Sequence, residues 1–550
     1  MYSGYGNNLY SLSTLSLGVT KRRILFAVSV FLILFALIVV RLARVMVFNV
    51  RGEEERNFEN PVPLISRADI VDRNGVIIAT SLPTVSLYAC PHEIMDVKEA
   101  AEKITGVFPE SDKAELIKKM SSNKKFLWIK RNLSPIQQQA VLNQGVPGMH
   151  FMRTEHRVYP DGNLLAHVIG GTDVDNVGIA GVEKVFDESL RGSPEPLVLS
   201  LDVKIQYAVR DELQKGLKRF GAVGGAAVVM KIATGEIIAL VSLPDFDPNK
   251  KSDPTLSERF NMVTSSAVEP GSSAKIFNTA MALETGKITP FTTFDARFPL
   301  KIGKYTVNDF RGLGTFLSVE EILKYSSNIG SAKIALAAGA ATQKNFFRRL
   351  GLLDPISFEL CETQKPVCPR YWTDVSCVTV SYGHGIALSP LHMITAVSGI
   401  MNDGVMNVPT LLKREVPLSG TGVVSKKTSD IMKALMRINV TEGRNRLVDV
   451  PGYCVGGKSG TAEKQVRGKY IKNKNYTGFV GVFPMTDPKY SIYLVLDEPK
   501  GMPETHGYRT GGWNAAPVCG CIIKRIGIML GITPSKAPEP DWKAVIRRLL

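Results

Sequence analysis

The stretch Glu269-Pro-Gly-Ser-Ser-Ala-Lys-Ile-Phe277 decides how this chain is read. Pro270-Gly271 is a turn signal, and the residues after it suit the first turn of a helix. On a helix, positions i and i+3 share one face, about 5–6 Å apart at Cβ. The spacing therefore predicts Lys275 beneath the hydroxyl of Ser272, with Ser272 at the positive end of the helix dipole. A lysine desolvated enough to accept a proton activates such a weak nucleophile. The spacing alone is weak evidence. Ser121-Ser-Asn-Lys124 and Ser122-Asn-Lys-Lys125 repeat it in a stretch that reads as solvated charged surface.

Two segments downstream add weight. Ser326-Ser-Asn328 follows a helical stretch, Val319 to Lys324, and offers a hydroxyl and an amide to a proton shuttle and a substrate carbonyl. The plain alternative is a helix end, where Ser and Asn are equally at home. Gly456-Gly-Lys458-Ser459-Gly460-Thr461-Ala462 contains the single K-[S/T]-G of the chain, and Gly478-Phe-Val-Gly-Val-Phe483 is predicted as its partner strand. Small residues let a peptide backbone lie along such a strand as an added strand. Lys458 and Thr461 would then offer a cation and a hydroxyl to a terminal carboxylate. The alternatives are a Gly-rich turn or a phosphate loop, and the latter lacks its first glycine at the required spacing.

The surrounding chain fits an enzyme of several parts. Its 550 residues suggest two or three domains. With 44% hydrophobic and 21% charged residues it is globular in composition. The net charge of +16 suits an anionic environment such as phospholipid or a carboxylate-bearing polymer. Zinc-finger spacing is absent and the Lys and Arg residues are scattered, which argues against a nucleic-acid module. Seven cysteines are too few for a disulfide scaffold and show no paired zinc spacing. Cys361 and Cys368 either bridge a short loop in an oxidising compartment or remain free.

Lys21-Arg22-Arg23 precede an uncharged apolar run, Ile24 to Val40, which covers roughly 25 Å as a helix. Continuation through Leu42, Val45, Val47 and Phe48 completes a membrane span if Arg41 and Arg44 snorkel to the interface. No small-x-small cleavage site follows, so an uncleaved anchor is expected rather than a signal peptide. Basic residues are balanced on the two sides, so charge alone does not orient the span. No second run of comparable apolarity occurs, and Gly52 onward reads as soluble. Short alternating segments such as Gly75-Val-Ile-Ile-Ala-Thr80 precede a charged helical stretch over Val97 to Met120. Arg191-Gly-Ser-Pro-Glu-Pro196 marks a boundary. Beyond it come a helix over Asp202 to Phe220 and a buried hairpin, Gly224–Ile232 with Glu236–Ser242.

An S-x-x-K, an S-x-N and a K-[S/T]-G in that order form the set shared by serine β-lactamases and penicillin-binding proteins. Over nearly its whole length the chain resembles class B penicillin-binding proteins. Arg67-Ala-Asp-Ile-Val-Asp-Arg-Asn-Gly75, Arg157-Val-Tyr-Pro160, Ala166-His-Val-Ile-Gly170, Gly178-Ile-Ala-Gly-Val-Glu183 and Leu190-Arg-Gly192 look like the boxes of that family's pedestal. The resemblance implies an α+β protein. Residues 1–23 would be a cytoplasmic tail, 24–48 a transmembrane anchor, 49–196 a pedestal of the PBP dimerisation type, and 197–550 a transpeptidase domain with a β-lactamase-like antiparallel sheet and helices. It implies Ser272 as the acylated nucleophile, Lys275 as its base, and Ser326 and Asn328 as relay and substrate contact. Lys458, Ser459, Gly460 and Thr461 would bind the stem-peptide carboxylate, and the N–H groups of Ser272 and Thr461 would form the oxyanion hole. No metal or organic cofactor is implied.

Ser326-Ser-Asn328 followed by Ile-Gly, and Ser381-Tyr-Gly-His-Gly385 followed by Leu388-Ser-Pro390, resemble the septal, FtsI-type branch. The alternatives are an elongation or sporulation relative, or a membrane-bound β-lactam sensor or hydrolase. The septal branch implies peptidoglycan stem peptides and lipid-linked precursor strands as substrates, β-lactams as inhibitors, and an FtsW-type SEDS glycosyltransferase and other division proteins as partners. It also implies a single-pass protein of the cytoplasmic membrane with its catalytic part outside the cytoplasm. Two positions depart from the pattern: Asn261-Met-Val stands where the family often has Asn-Arg-Ala, and Ala68 where the first box commonly has Gly.

Overall fold

The computed structural model describes residues 9–44, 66–250, 254–416, 419–466 and 469–550. They fall into two compact units, Met1–Ser66 and Arg67–Leu550. The described helix of the first unit is Leu9–Arg44. Its part Arg22–Ala43 is long and apolar enough to cross a membrane, since its length comes to about 33 Å at the helical rise. The expected continuation through Val45, Val47 and Phe48, and the expected soluble start at Gly52, lie outside the described residues.

In the second unit an antiparallel sheet runs in the order Gly456–Val466, Lys469–Phe483, Tyr490–Asp497, Gly224–Lys231, Ile237–Leu243. Strands Gly224–Lys231, Ile237–Leu243 and Tyr490–Asp497 are buried on both faces, since helices cover both sides of the sheet there. Alternation along Gly224–Lys231 sends Ala226, Val228 and Met230 into one core and Ala227 and Val229 into another. Helices Val203–Phe220 and Ala515–Met529 fill the second core, while Lys275–Glu284, Pro390–Met401 and Lys426–Thr441 pack mainly into the first. The Asp202 carboxylate caps Val203–Phe220 by accepting from the N–H groups of Lys204 and Ile205. Helix Lys275–Glu284 is buried from Lys275 to Leu283. A helix without a solvent face belongs inside a domain, and burial of a side chain such as Phe277 contributes about 1.5–3 kcal/mol. That packing holds the turn before the helix, where Ser272 lies, in a fixed place.

Ahead of this lies the pedestal. Its long strand Ile77–Ala89 pairs antiparallel with Met149–Val158, from Thr80 opposite Val158 to Ala89 opposite Met149, and with Leu127–Leu133. Leu197–Val198, just past the turn-forming Arg191–Pro196 segment, returns parallel to Ile70–Val71. The helical stretch expected over Val97 to Met120 is two helices, Val97–Val107 and Lys113–Met120. Pro109 disfavours helical geometry for Phe108 and cannot extend the first helix. Asp112 starts the second by accepting from Ala114 and Glu115 N–H. The bridge considered for Cys361 and Cys368 is not formed, and both thiols are free.

Three of the pedestal boxes meet around one buried carboxylate. Glu183 accepts from Arg67 Nε and from Arg157 Nε, each at 2.7 Å. Arg67 also reaches Asp187 at 2.7 Å. Next to this cluster the first box is fastened to the sheet domain. Asp72 accepts from Val203 N–H at 3.1 Å, Arg73 donates to Ser200 O at 3.2 Å, and Asn74 donates to Asp202 at 2.9 Å.

Candidate active site

Ser272 sits in the single 3-10 turn Gly271–Ala274, which runs straight into helix Lys275–Glu284. Three backbones crowd together there. Gly271 has φ +51°, and a Cβ on it would lie 2.4 Å from Thr461 O; one on Gly383 would lie 2.0 Å from Gly271 O. Glycine at 271 and 383 therefore lets the serine turn sit between the Gly383 loop and the strand Gly456–Val466.

As the i, i+3 spacing predicts, Lys275 Nζ lies 2.8 Å from Ser272 Oγ. It also lies 2.7 Å from Asn328 Oδ1, 3.0 Å from Ser326 O and 3.3 Å from Ser326 Oγ. Ser326 Oγ is shared with Lys458 Nζ at 3.1 Å. A continuous path Ser272–Lys275–Ser326–Lys458 results. Both lysines are almost wholly buried, 1% and 2% exposed. Among the described residues, no carboxylate pairs with either amine, and their hydrogen-bond partners are hydroxyl, amide and carbonyl oxygens. Burial, then the neighbouring charge of Lys458, holds Lys275 well below the usual lysine range. Burial, with Arg444 nearby, brings Lys458 down to about 7. A neutral Lys275 has two N–H donors for Asn328 Oδ1 and Ser326 O, which leaves its lone pair for the Ser272 hydroxyl.

Ser326 joins two helices. It ends Val319–Tyr325 in the left-handed region at φ +63°. Its neighbour Ser327 caps Asn328–Ala338 by accepting from Gly330 N–H. The motif is thus both a helix junction and part of the site. A non-glycine residue in this region is uncommon, and such conformations gather at functional sites.

Strand Gly456–Val466 is an edge strand. Gly457 O accepts from Asn439 Nδ2 at 2.5 Å and Ser459 O from Lys458 Nζ at 3.1 Å, so both carbonyls point off the sheet. Alternation puts the Thr461 backbone on the same open edge. The Thr461 hydroxyl accepts from Gly511 N–H at 3.0 Å. Gly460 lies against the serine turn, where a Cβ would meet Pro270 O at 2.2 Å. The three motifs thus meet. Ser272 and Lys275 join Ser326 and Asn328, Ser326 joins Lys458, and Gly460 and Thr461, which follow Ser459 on the strand, lie against the serine turn. The cleft between them is the candidate site. The decoy Ser121–Lys125 lies at the end of a pedestal helix with both lysines exposed.

Several neighbours escaped the sequence reading. Asp309 accepts from Asn328 N–H at 2.5 Å, Ile329 N–H at 3.0 Å and Ser327 Oγ at 2.7 Å. The Asn328 amide is oriented by donating to Asn308 O at 3.1 Å. Glu269 accepts from Gly385 N–H at 2.8 Å and Tyr470 OH at 3.0 Å, tying the serine turn to strand Lys469–Phe483. Arg444 donates to Arg311 O at 3.3 Å, and Arg311 lies over the Tyr508 ring. No spacing announces Asn308, Asp309, Arg311 or Arg444, because they reach the site from loops distant in sequence. The role of Glu269, three residues before Ser272, depends on partners as remote as Gly385 and Tyr470. A cavity of about 490 Å³ lies away from this cleft, against His167, Phe246, Phe260 and Glu362, and has no motif residue in its wall. Asn261 also lines it, donating to His167 O at 3.3 Å, so the Asn261-Met-Val departure lies at the pedestal junction.

Comparison with known proteins agrees with this geometry. Residues 225–524 match the penicillin-binding protein transpeptidase domain, and residues 65–207 match the penicillin-binding protein dimerisation domain. The chain is 37% identical over 483 residues to a probable peptidoglycan D,D-transpeptidase FtsI of Caulobacter vibrioides, covering 85% of this chain and 82% of that one. It is 32% identical to a probable peptidoglycan D,D-transpeptidase PenA of Neisseria gonorrhoeae, covering 94% of each. The fold matches a penicillin-binding protein 3 from Mycobacterium crystallised with aztreonam, with TM-score 0.67 and 23% identity, over 86% of this chain and 97% of that one. A serine turn, a buried lysine against its hydroxyl and an open strand edge, carried behind a dimerisation module, place this chain among the class B penicillin-binding proteins.

Proposed function

We propose that the chain cross-links peptidoglycan stem peptides at the division septum through an acyl-enzyme on Ser272. The observation that carries this is the 2.8 Å contact between Ser272 Oγ and the Lys275 amine, which burial holds well below the usual lysine range. Lys275 takes the hydroxyl proton as Oγ attacks the carbonyl between the two terminal D-Ala residues of a donor stem. The N–H groups of Ser272 and Thr461 receive the oxyanion. The C–N bond then breaks, and the departing D-Ala amine takes a proton relayed through Ser326, which lies between Lys275 and Lys458. An amine from a second stem attacks the ester, gives up its proton along the same path and frees Ser272. The donor strand lies along the edge of Gly456–Val466, with its carboxylate at Lys458, Ser459 and Thr461. β-Lactams enter as donors, and their opened ring remains tethered on the ester.

The septal assignment rests on the likeness to the Caulobacter protein and on the two branch motifs. Helix Leu9–Arg44 anchors the chain, with the catalytic unit outside the cytoplasm where peptidoglycan lies. Anchor and pedestal engage an FtsW-type glycosyltransferase and other division proteins.

The test is acylation of the full chain in detergent by a fluorescent penicillin, with Ser272→Ala alongside. A long-lived label on the parent that is absent from the variant is expected. A label that survives Ser272→Ala would overturn the assignment of the nucleophile. Rapid release of the label by water would convert the reading to a hydrolase.

A further inference from the structure

We infer that the pedestal binds a zinc ion through Cys90, Glu93 and His150. The long strand Ile77–Ala89 ends at Cys90, and the single turn Pro91–Glu93 follows at once. Glu93 N–H donates to Cys90 O at 2.9 Å, folding residues 90 and 93 onto one another. Cys90 N–H donates to Gly148 O at 2.8 Å, which fastens this turn to the start of strand Met149–Val158. Gly148 allows the close approach: it has φ +76°, and a Cβ there would sit 3.0 Å from Glu93 Cβ. His150 stands opposite Tyr88 in the ladder, and its ring stacks on the phenol at 5.3 Å. That stacking limits imidazole rotation and leaves Nε2 2.6 Å from Glu93 Oε2. The three ligand atoms all lie within 4.8 Å of one another.

Thiolate, imidazole and carboxylate together make a donor set suited to zinc. Bonds of about 2.3 Å to sulfur and about 2.0–2.1 Å to nitrogen and oxygen place tetrahedral donors roughly 3.3–3.6 Å apart. The His150–Glu93 pair, at 2.6 Å, would open by somewhat under an ångström to reach this spacing, and the Cys90 sulfur already lies within 4.8 Å of both. His92, with Nε2 3.6 Å from Glu93 Oε1, supplies a fourth donor, or water completes the shell. Glu93 and His150 are each about two-fifths exposed, at 43% and 42%, so an ion has a path in. Tyr88, stacked on Phe126 at 4.7 Å, provides an apolar wall on the His150 side, and such a shell limits competing water. Binding releases the Cys90 thiol proton to solvent, and the ion's two charges balance thiolate and carboxylate. The ion would cross-link the strand end to its neighbour, independently of the acylation chemistry.

The test titrates the full, reduced chain in detergent with Co2+ as a spectroscopic substitute for zinc. One equivalent is expected to produce an intense thiolate-to-cobalt charge-transfer band that stoichiometric Zn2+ removes. Cys90→Ser should abolish the band and weaken zinc binding roughly 100-fold. His150→Gln, a change at a half-exposed side chain, should weaken binding comparably and serves where Cys90→Ser accumulates poorly. Penicillin labelling at the parent level in both variants verifies their folding. No band in the parent, or a band that persists in Cys90→Ser, overturns the site.

Discussion

Two of the regions in which the molecule buries strong cations treat them in opposite ways. In the pedestal, Arg67 and Arg157 are 2% and 1% exposed, and both bond to Glu183, which is 0% exposed. In the cleft, Lys275 and Lys458 are equally hidden but meet only neutral oxygens. Paired, a guanidinium stays charged and holds elements together. Unpaired, a buried amine holds its proton less tightly and is better able to act as a base. Burial is nearly the same in the two regions. The carboxylate partner and the residue type together separate a structural charge from a chemical one, since a guanidinium keeps its proton where an amine can lose it.

The hardest blow to this contrast would be Lys275→Arg. Arginine cannot deprotonate in a protein, so penicillin acylation is expected to fall roughly 10²–10⁴-fold. Near-parental acylation would erase the contrast. Glu183→Ala attacks the other side. It takes the carboxylate from buried Arg157 and leaves Arg67 with that of Asp187, and should cost about 3–5 kcal/mol in denaturant unfolding. The fraction that stays folded should acylate at the parent rate.

A pH series sharpens the account of Lys458. Its folded value of about 7 lies below the ordinary 10.5, so the unfolded chain binds the extra proton between them. Stability from this residue should therefore rise as pH increases from 7 toward 10.5, and Lys458→Met should remove that slope. The same proton is wanted by an anionic donor. Pre-acylation binding of a carboxylate-bearing β-lactam should weaken by up to about tenfold per pH unit above neutrality, and Lys458→Met should flatten the profile. Asp309→Asn is expected to give the smallest effect. Loss of a charged helix cap costs about 1 kcal/mol, read as a several-fold drop in acylation with the pH profile retained.

The sequence made the site legible where local geometry does the work. The Ser272–Lys275 pair needs only one helical turn, and Gly456–Ala462 with Gly478–Phe483 announces a pair of strands through its small and apolar residues. Gly224–Lys231 reads as buried from its composition. What stayed hidden depends on long-range contact. Asp309 is one acid in a loop, and its role exists only once Asn328 folds over it. The left-handed backbone of Ser326 is concealed because serine carries no mark of it, as a glycine would. Pro109 should have divided Val97–Met120, but the apolar spacing on either side masked the break. The ion cluster of Arg67, Arg157 and Glu183 joins separate boxes that the resemblance picked out without giving the physical reason for them.

The sheet order has a consequence for when the enzyme comes alive during synthesis. Tyr490–Asp497, made late, is inserted between Lys469–Phe483 and the early strand Gly224–Lys231. Until it is, the strand that carries Lys458 has no attachment to the strands that precede the serine helix. Contacts so distant along the chain form slowly. A partly made chain thus exposes its apolar strands without yet possessing a working nucleophile, and a truncated product ending before Tyr490 would be inert toward the cell wall. Activity and completeness are fastened to the same last strand, so the fold inspects itself before the enzyme can cut.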